Sequence, residues 1–537
     1  MDFKSIFTGR FFGLTYATIL AVLAVPAFSI FPTHPNLVGG IFLTMVMLIL
    51  VGIHDIFQKR HAILRNYPII GHLRFFFEKI RPEMRQYFFE GDTDGRPFPR
   101  ERRAIVYQRA KRELDKKPFG TQGDVYSEGH EWMLHSIRPA ALSKDLFRLT
   151  IGGPDCTQPY DASVLNISAM SYGALSANAI RALNLGAKRG NFAHDTGEGS
   201  ISPYHREAGG DLIWEIGSGY FGCRNADGTF SDEKFAANAS GLQVKMIEIK
   251  ISQGAKPGHG GVLPAAKVTA EIAKIRGIQM GIDCVSPAAH SAFSTPLELV
   301  HFIARLRKLS GGKPVGFKFC LGRRTEFLAV VKAMLETGIT PDFIVIDGKE
   351  GGTGAAPAEF IDNIGTPLRD GLAFVNSVLI GASLRDKIKL GCAGKIITGF
   401  DMARAFAIGA DWCNVARGFM FAVGCIQAQT CHTGHCPTGV ATQDPNRQRA
   451  IVVPGKAERV KNFHHETIKS LAEMLAAAGM TSPRDLKPYH ISRRVGSGRV
   501  LNLAEMYPTL AEGALLSRNF DGPLAQIWQR ADSRKFN

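Results

Sequence analysis

The sequence predicts an α/β protein: a (β/α)8 TIM barrel with a transmembrane helical hairpin ahead of it. Two observations predict the barrel. From about residue 160, short apolar runs alternate with helical stretches, which is the order of a parallel sheet. Eight such runs can be counted, and eight parallel strands close on themselves; an open doubly wound sheet is the alternative. A third observation predicts the hairpin. No Asp, Glu, Lys or Arg occurs from Phe11 to Ile53.

Residues 11–30 and 37–53 flank the break FPTHPN. Each approaches the roughly 20 apolar residues that span a bilayer. Lys4 and Arg10 precede the first run, and Lys59, Arg60 and Arg65 follow the second. The positive-inside rule puts both ends in the cytoplasm and residues 31–36 outside. The expectation is a two-helix, multi-pass membrane protein with a cytoplasmic catalytic domain. A cleaved signal peptide is the rival, but Val25-Pro26-Ala27 makes a poor cleavage site. A buried core hairpin is the other reading.

Residues 59–117 hold 16 Lys/Arg against 8 Asp/Glu, half of the chain's net charge of +16. Such a segment holds a protein against anionic lipid or docks an acidic electron carrier. No nucleic-acid-binding motif accompanies it, so nucleic acid is excluded as a partner. The expected division is 1–57 hairpin, 58–150 basic extension, 151–450 barrel and 451–537 helical extension.

Strands are expected at 164–170, 192–196, 246–251, 282–286, 315–320, 343–347, 388–392 and 413–416. Helices are expected at 174–189, 297–309, 326–336, 373–384, 400–408 and 457–478. The loops after the strands carry Ser171-Tyr172-Gly173, Gly197-Glu198-Gly199, residues 253–261 (QGAKPGHGG), residues 348–354 (GKEGGTG), Ala393-Gly394-Lys395 and Arg417-Gly418. Glycines let backbone N–H groups approach an anion, and the last two loops of a barrel form its usual phosphate site. A phosphate-bearing cofactor is therefore expected. The run GSGYFG (217–222) matches a dinucleotide pattern, but CRNADGTFS follows it and reads as loop, not helix.

Residues 425–436 read CIQAQTCHTGHC. Cys425, Cys431 and Cys436 packed this closely point to an iron–sulfur cluster. Three cysteines favour a three-iron cluster, or a four-iron cluster with one other ligand. His432 and His435 keep a Cys3His zinc site open. The other six cysteines are scattered singly, which argues against disulfides.

The stretch 160–445 resembles the flavin-binding synthase domain of glutamate synthase. The resemblance rests on MSYGALS (170–176), TGEG (196–199), KISQGAKPGHGG (250–261), GGTGAAP (351–357) and CPTGVATQDP (436–445). It implies FMN in a barrel, beside a 3Fe-4S cluster. It implies a site that reduces 2-iminoglutarate, formed from 2-oxoglutarate and ammonia, to glutamate. Position 2 is Asp and the first cysteine is Cys156, so the family's N-terminal glutaminase nucleophile has no counterpart. No FAD or NAD(P)H domain is recognisable. The chain resembles the short glutamate synthase-like proteins, which implies electrons from ferredoxin or a separate reductase and ammonia free or from a glutaminase-like subunit.

The resemblance also implies roles. Ala169, Met170, Ser171, Tyr172 and Gly173 run beside the flavin ring, and Lys318 lies at its N1 edge. Gln253 and Lys256 line the flavin and substrate pocket, with Lys250 as a second cation for a dicarboxylate. Glu198 positions the imine or delivers a proton. Gly351, Gly352, Thr353 and Gly354 contact the cofactor; Gly394, Arg417 and Gly418 hold its phosphate. Lys349-Glu350, and His259 in place of a family Glu, change the charge near the pocket. His290 reads as structural. Two other readings remain: an N-methylglutamate synthase-like amine-transfer subunit, and a membrane-anchored flavin and iron–sulfur electron-transfer protein.

Overall fold

The computed structural model describes residues 11–30, 32–143, 147–496 and 498–536. Lys4, Arg10 and Phe31, which entered the topology reading, lie outside them. The chain divides into two compact units, residues 1–99 and 100–537.

In the first unit, α1 (Phe12–Ile30) and α2 (Pro35–Phe57) pack as an antiparallel pair. By length and composition α2 can cross a membrane; α1 is apolar but is interrupted by Pro26. Gly52 of α2 lets Leu14 of α1 come close: a Cβ there would sit 2.7 Å from the Leu14 side chain. After a short helical turn, Ala62–Asn66, comes α3 (Gly71–Met84), which runs into a π-turn, Arg85–Phe89.

The second unit opens with α4 (Arg100–Lys111). Its centre is a closed barrel of eight parallel strands: β1 (Leu165–Ile167), β2 (His194–Asp195), β3 (Leu212–Ile216), β4 (Val244–Lys250), β5 (Val315–Phe319), β6 (Phe343–Asp347), β7 (Lys389–Ala393) and β8 (Trp412–Val415). β8 returns to β1 in the register Cys413↔Leu165 and Val415↔Ile167. FIVID in β6 and VGFKF in β5 are buried at every position. A parallel strand covered on both faces has no solvent side to alternate toward.

The expected count of eight strands holds, but one member differs. Residues 282–286 lie outside the barrel: Cys284–Val285 pairs antiparallel with Val262–Leu263. The unforeseen barrel strand is LIWEI, 212–216, which lies between β2 and β4 and is buried throughout. Ile282 is 52% exposed and Val285 60%, so of IDCVS only Cys284 contributes an apolar side chain to the buried interior. LIWEI carries an acid that points inward, which hides it from an apolar count.

After β1, Ser176 caps α5 (Ala177–Gly190) through its side chain, accepting from the Ala179 amide. The long helix α6 (Val453–Ala477) packs on α5, on α4 and on the helix Arg417–Val423. Gly186 of α5 would drive a Cβ to 2.5 Å from Val460. Asn462 donates to the Ala110 carbonyl of α4 at 3.2 Å, and the Phe419 and Phe463 rings meet edge to face at 5.1 Å. The C-terminal extension therefore backs the ends of β8 and β1.

A buried ion pair ties helix to strand on the outside of the barrel. Asp342 is fully buried; it accepts from Arg307 Nε at 3.0 Å and from the amides of Val315 and Gly153. Removing one partner of such a pair leaves an uncompensated charge, so Arg307→Ala should cost about 3–5 kcal/mol. The exposed pair Arg305–Asp232 should cost under about 1 kcal/mol on Arg305→Ala. Thermal unfolding midpoints of the two variants check the ranking; equal shifts would refute it.

Candidate active site at the C-terminal end of the barrel

The barrel interior carries charge. Glu215 of β3 stands opposite Glu248 of β4, and Lys318 of β5 stands opposite Lys250 of β4. One carboxylate oxygen from each of Asp195, Glu215 and Glu248 lies within 4.8 Å of the others. That is a ligand set for a cation, and Lys318 supplies the cation. Its ammonium bonds Glu215 and lies 3.3 Å from Glu248 Oε1. Burial, then the facing Asp195, pushes Glu248 well above the usual carboxyl range; burial raises Asp195 too. The two carboxyls share a proton in preference to carrying two like charges.

Above this layer the strand-end loops converge. Lys250 Nζ donates to Glu198 Oε1 at 2.7 Å and to Gln253 Oε1 at 2.6 Å. Glu198 is not the solvent-facing acid a loop position would allow: its side chain is 16% exposed. Burial works against its charge, but Lys250, Arg276 and Lys256 together hold its carboxyl below the usual range. Its seat is made by glycines. A Cβ at Gly261 would meet Glu198 Oε1 at 2.1 Å, and one at Gly217 would meet Oε2 at 2.5 Å. Gly217 of the dinucleotide-like run thus makes room for a carboxylate. No helix opens there; the next is Asp232–Ala239.

Lys256 is buried, and its ammonium donates to the Ala355 carbonyl at 3.0 Å. Burial, and then Lys250, lower its pKa to about 8. The loop that carries it is fixed by Asp347 at the end of β6, which accepts from the Gly254 amide at 2.9 Å. Gly254 tolerates no side chain, because a Cβ would lie 1.7 Å from the Gly348 carbonyl oxygen.

The loop after β1 presses on its neighbour. A Cβ at Gly197, where φ is +65°, would touch the Ser171 amide at 2.7 Å. Ala169 is half-buried and Met170 buried, and Tyr172 donates to Glu271. A residue that sequence reading missed joins here. Arg276 is buried; it donates to Ser171 Oγ at 3.3 Å and to the Tyr172 carbonyl at 3.2 Å, and its Nε finds no hydrogen-bond partner. Lying at the end of the helix Ala270–Arg276, it reads in sequence as a surface cap.

At the far side, Gly352 abuts Arg417: a Cβ would lie 2.8 Å from Arg417 Nε. Arg417 donates to the Glu350 carbonyl at 2.6 Å; burial lowers its pKa to about 10 against the pull of Asp347 and Glu350. Gly394 has φ +151° and lies against Leu368 and Glu350, while Gly418 packs against Val415 and Phe463. Gly351 closes a turn on the Gly348 carbonyl, and exposed Thr353 and Gly354 complete the loop. The charge change at 349–350 is absorbed inside that loop. Lys349 caps the helix Ala358–Asn363 through the Ile361 and Ile364 carbonyls, and Glu350 accepts from the Leu368 amide. His259 bonds the neighbouring Gly260 carbonyl. His290 is held between the Tyr220 hydroxyl and the Lys250 carbonyl, and burial lowers its pKa to about 4; it positions Lys250.

All nine cysteines are free. Cys425, Cys431 and Cys436 stand in electrostatic reach of one another. They do not form a set of ligand atoms within 4.8 Å; among the described residues only the three carboxylates do. Burial raises Cys425 to about 12. Cys436 is lowered against burial by the Ala441 amide, the Thr438 hydroxyl and amide, and the Val440 amide. Tyr107 of α4 donates to the Cys425 carbonyl at 2.7 Å. Lys267, also unforeseen, lies buried beside the cysteines and donates to the carbonyls of Ala174 (2.7 Å), Cys431 (3.2 Å) and Ala441 (3.4 Å).

A sequence profile described as the conserved region in glutamate synthase matches residues 158–481. This chain belongs to the glutamate synthase family. It is 36% identical to the glutamate synthase large subunit-like protein YerD of Bacillus subtilis, over 87% of this chain and 96% of that protein. It is 35% identical to the archaeal glutamate synthase (NADPH) of Methanocaldococcus jannaschii, over 60% of each. With the glutamate synthase (NADPH) large chain of B. subtilis it shares 33% identity over 58% of this chain, but only 20% of that one. The protein is a glutamate synthase-like oxidoreductase.

The acid cluster makes a specific demand. Glu248→Gln should change stability by no more than about 1 kcal/mol, because an amide replaces a carboxyl that already carries a proton. Glu215→Gln should cost about 3–5 kcal/mol, because it strips the buried Lys318 ammonium of its bonded counter-charge. Unfolding midpoints of the two variants at pH 7 decide; equal losses would mean that Glu248 is ionised.

Proposed function

We propose that this site reduces 2-iminoglutarate, formed from 2-oxoglutarate and ammonia, to glutamate, with FMN and an iron–sulfur cluster as bound cofactors. One observation carries the reading. Lys250, Lys256, Arg276, Glu198 and Gln253 converge on one pocket beside the 169–173 loop. An electron relay has no use for three cations around one carboxylate; a dicarboxylate substrate with a cationic imine does.

When bound, FMN supplies a hydride for the imine carbon, and the cluster supplies electrons one at a time. The residues present fit both groups. Lys318 offers a buried cation at the barrel's centre, and Gly394, Arg417 and Gly418 gather at the ends of β7 and β8 with the loop Gly351, Gly352, Thr353 and Gly354. Cys425, Cys431 and Cys436 lie in electrostatic reach of one another on one short segment, and three soft thiolates suit an iron–sulfur cluster.

The chain's own residues do the rest. Arg276, with a free Nε, and Lys256 hold the substrate's carboxylates. Lys250 holds the Glu198 carboxylate in place. Glu198, kept ionised by its cations, faces the iminium and stabilises its charge. Gln253 orients Lys250 through its side-chain oxygen.

The reading extends to the whole chain. Residues 1–57 form a membrane hairpin with both ends cytoplasmic, 58–150 a basic extension on anionic lipid, 151–450 the catalytic barrel with its cluster, and 451–537 a supporting extension. Electrons come from a ferredoxin or a separate reductase.

Four outcomes are expected. Protein reduced anaerobically in detergent should be reoxidised by 2-oxoglutarate plus ammonium, with glutamate formed; no reoxidation, with flavin absorbance intact, would overturn the substrate assignment. Lys256→Ala should raise the KM for 2-oxoglutarate by about tenfold or more, one charge-assisted hydrogen bond being worth roughly 1.5–3 kcal/mol. In the wild type that KM should rise as pH passes about 8, where Lys256 loses its proton, and the variant should lose this dependence. Cys431→Ser should abolish the iron signal; unchanged iron would remove Cys431 from the ligand set.

A further inference from the structure

The first unit carries an apolar face that nothing within the unit covers. In α3 and its π-turn, Leu73, Phe76, Phe77, Ile80, Met84 and Phe88 recur at intervals of three and four. At 3.6 residues per turn they fall on one arc about 120° wide. Phe76 is 53% exposed, Phe77 60% and Phe88 74%. The opposite side is held within the unit: Phe75 meets His61 edge to face at 5.1 Å. Arg74, Arg81 and Arg85 flank the arc on one side, and Lys79 lies beyond its other edge.

The level of this helix is fixed by an elbow. Asp55, near the end of α2, is fully buried. Its carboxylate accepts from the Ile69 amide at 3.0 Å and from His72 Nε2 at 3.0 Å. Ile69 takes a left-handed φ of +66° to make the turn. Ile69 packs on Gly52 of α2, and Ile70 on Gly13 of α1. The start of α1 and the end of α2 therefore both hold the residues from which α3 departs. That is the end of the hairpin where an embedded pair of helices emerges into water.

We infer that α3 and its π-turn form an interfacial membrane helix, laying the Leu73–Phe76–Phe77–Ile80–Met84–Phe88 face into the anionic leaflet from which the hairpin emerges. Aromatic and aliphatic side chains enter the acyl boundary; Arg81 flanks them for the lipid phosphates, while Arg74 and Arg85 reach phosphate by exchanging their partners Glu78 and Glu90. The inference rests on the membrane hairpin proposed above. It adds a second attachment to the same leaflet, because Asp55 locks the surface helix to the end of the hairpin.

The test uses full-length protein in nanodiscs containing phosphatidylglycerol. A photo-crosslinking p-benzoylphenylalanine is placed at Phe77, at Phe88, at Leu43 of α2 (63% exposed), or at Phe119 of the second unit (fully exposed). Lipid adducts, read by mass spectrometry, should form at 77 and 88 several-fold above those at 119 and at a yield comparable with 43. Adducts at 43 but not at 77 or 88, or crosslinks from 77 to protein, would overturn the interfacial helix and leave the hairpin standing. No lipid adducts at 43 would overturn the hairpin and this inference with it.

Discussion

The pairing of Lys318 with the acids inside the barrel is the constraint on which the catalytic end depends. Three carboxylates share a space from which water is excluded, and one ammonium and one retained proton keep them compatible. Strand register puts them there: Glu215 faces Glu248, and Lys318 faces Lys250. A slip of one residue between β3 and β4 would turn an acid outward and a bulky apolar residue inward. Two residues beyond Glu248 on the same strand, Lys250 meets Glu198 and Gln253. The acid floor and the cluster around Glu198 are thus two parts of one electrostatic arrangement.

The periphery is built to keep that end still. α6 covers α5, α4 and the helix that begins at Arg417, so the extension after the cysteines braces the loops before them. α4 reaches the cysteine segment from the other direction through Tyr107. Short sections far apart in sequence are joined by single hydrogen bonds: Gln443 holds the carbonyls of both Gly173 and Leu175. The β1 loop is therefore tied directly to the chain that follows the cysteines.

Much of this was legible in the sequence because its physics is local. Alternating apolar runs and helical stretches gave the barrel, and glycines after strands marked where backbones crowd. What escaped detection depended on contacts between distant residues. LIWEI was passed over because Glu215 breaks its apolar run, and only the partner Lys318, 103 residues later, makes that acid acceptable in a core. Arg276 and Lys267 look like surface cations at the ends of short helices until the fold buries them. Lys349 and Glu350 looked like a change of pocket charge; Lys349 bonds carbonyls at the end of the helix Ala358–Asn363 and Glu350 the amide that opens the next helix at Leu368. The cysteines were visible from spacing alone, whereas their backbone donors and the neighbouring ammonium were not.

Lys267 has a consequence for how the protein matures. Its ammonium bonds the carbonyls of Ala174, Cys431 and Ala441, so the cysteine segment takes its shape only after chain spanning more than half of the barrel unit has come together. Translation delivers Ala174 first and Ala441 last. The thiol segment is therefore completed late in synthesis, and a polypeptide truncated before Ala441 lacks one of the three carbonyls that hold the Lys267 ammonium.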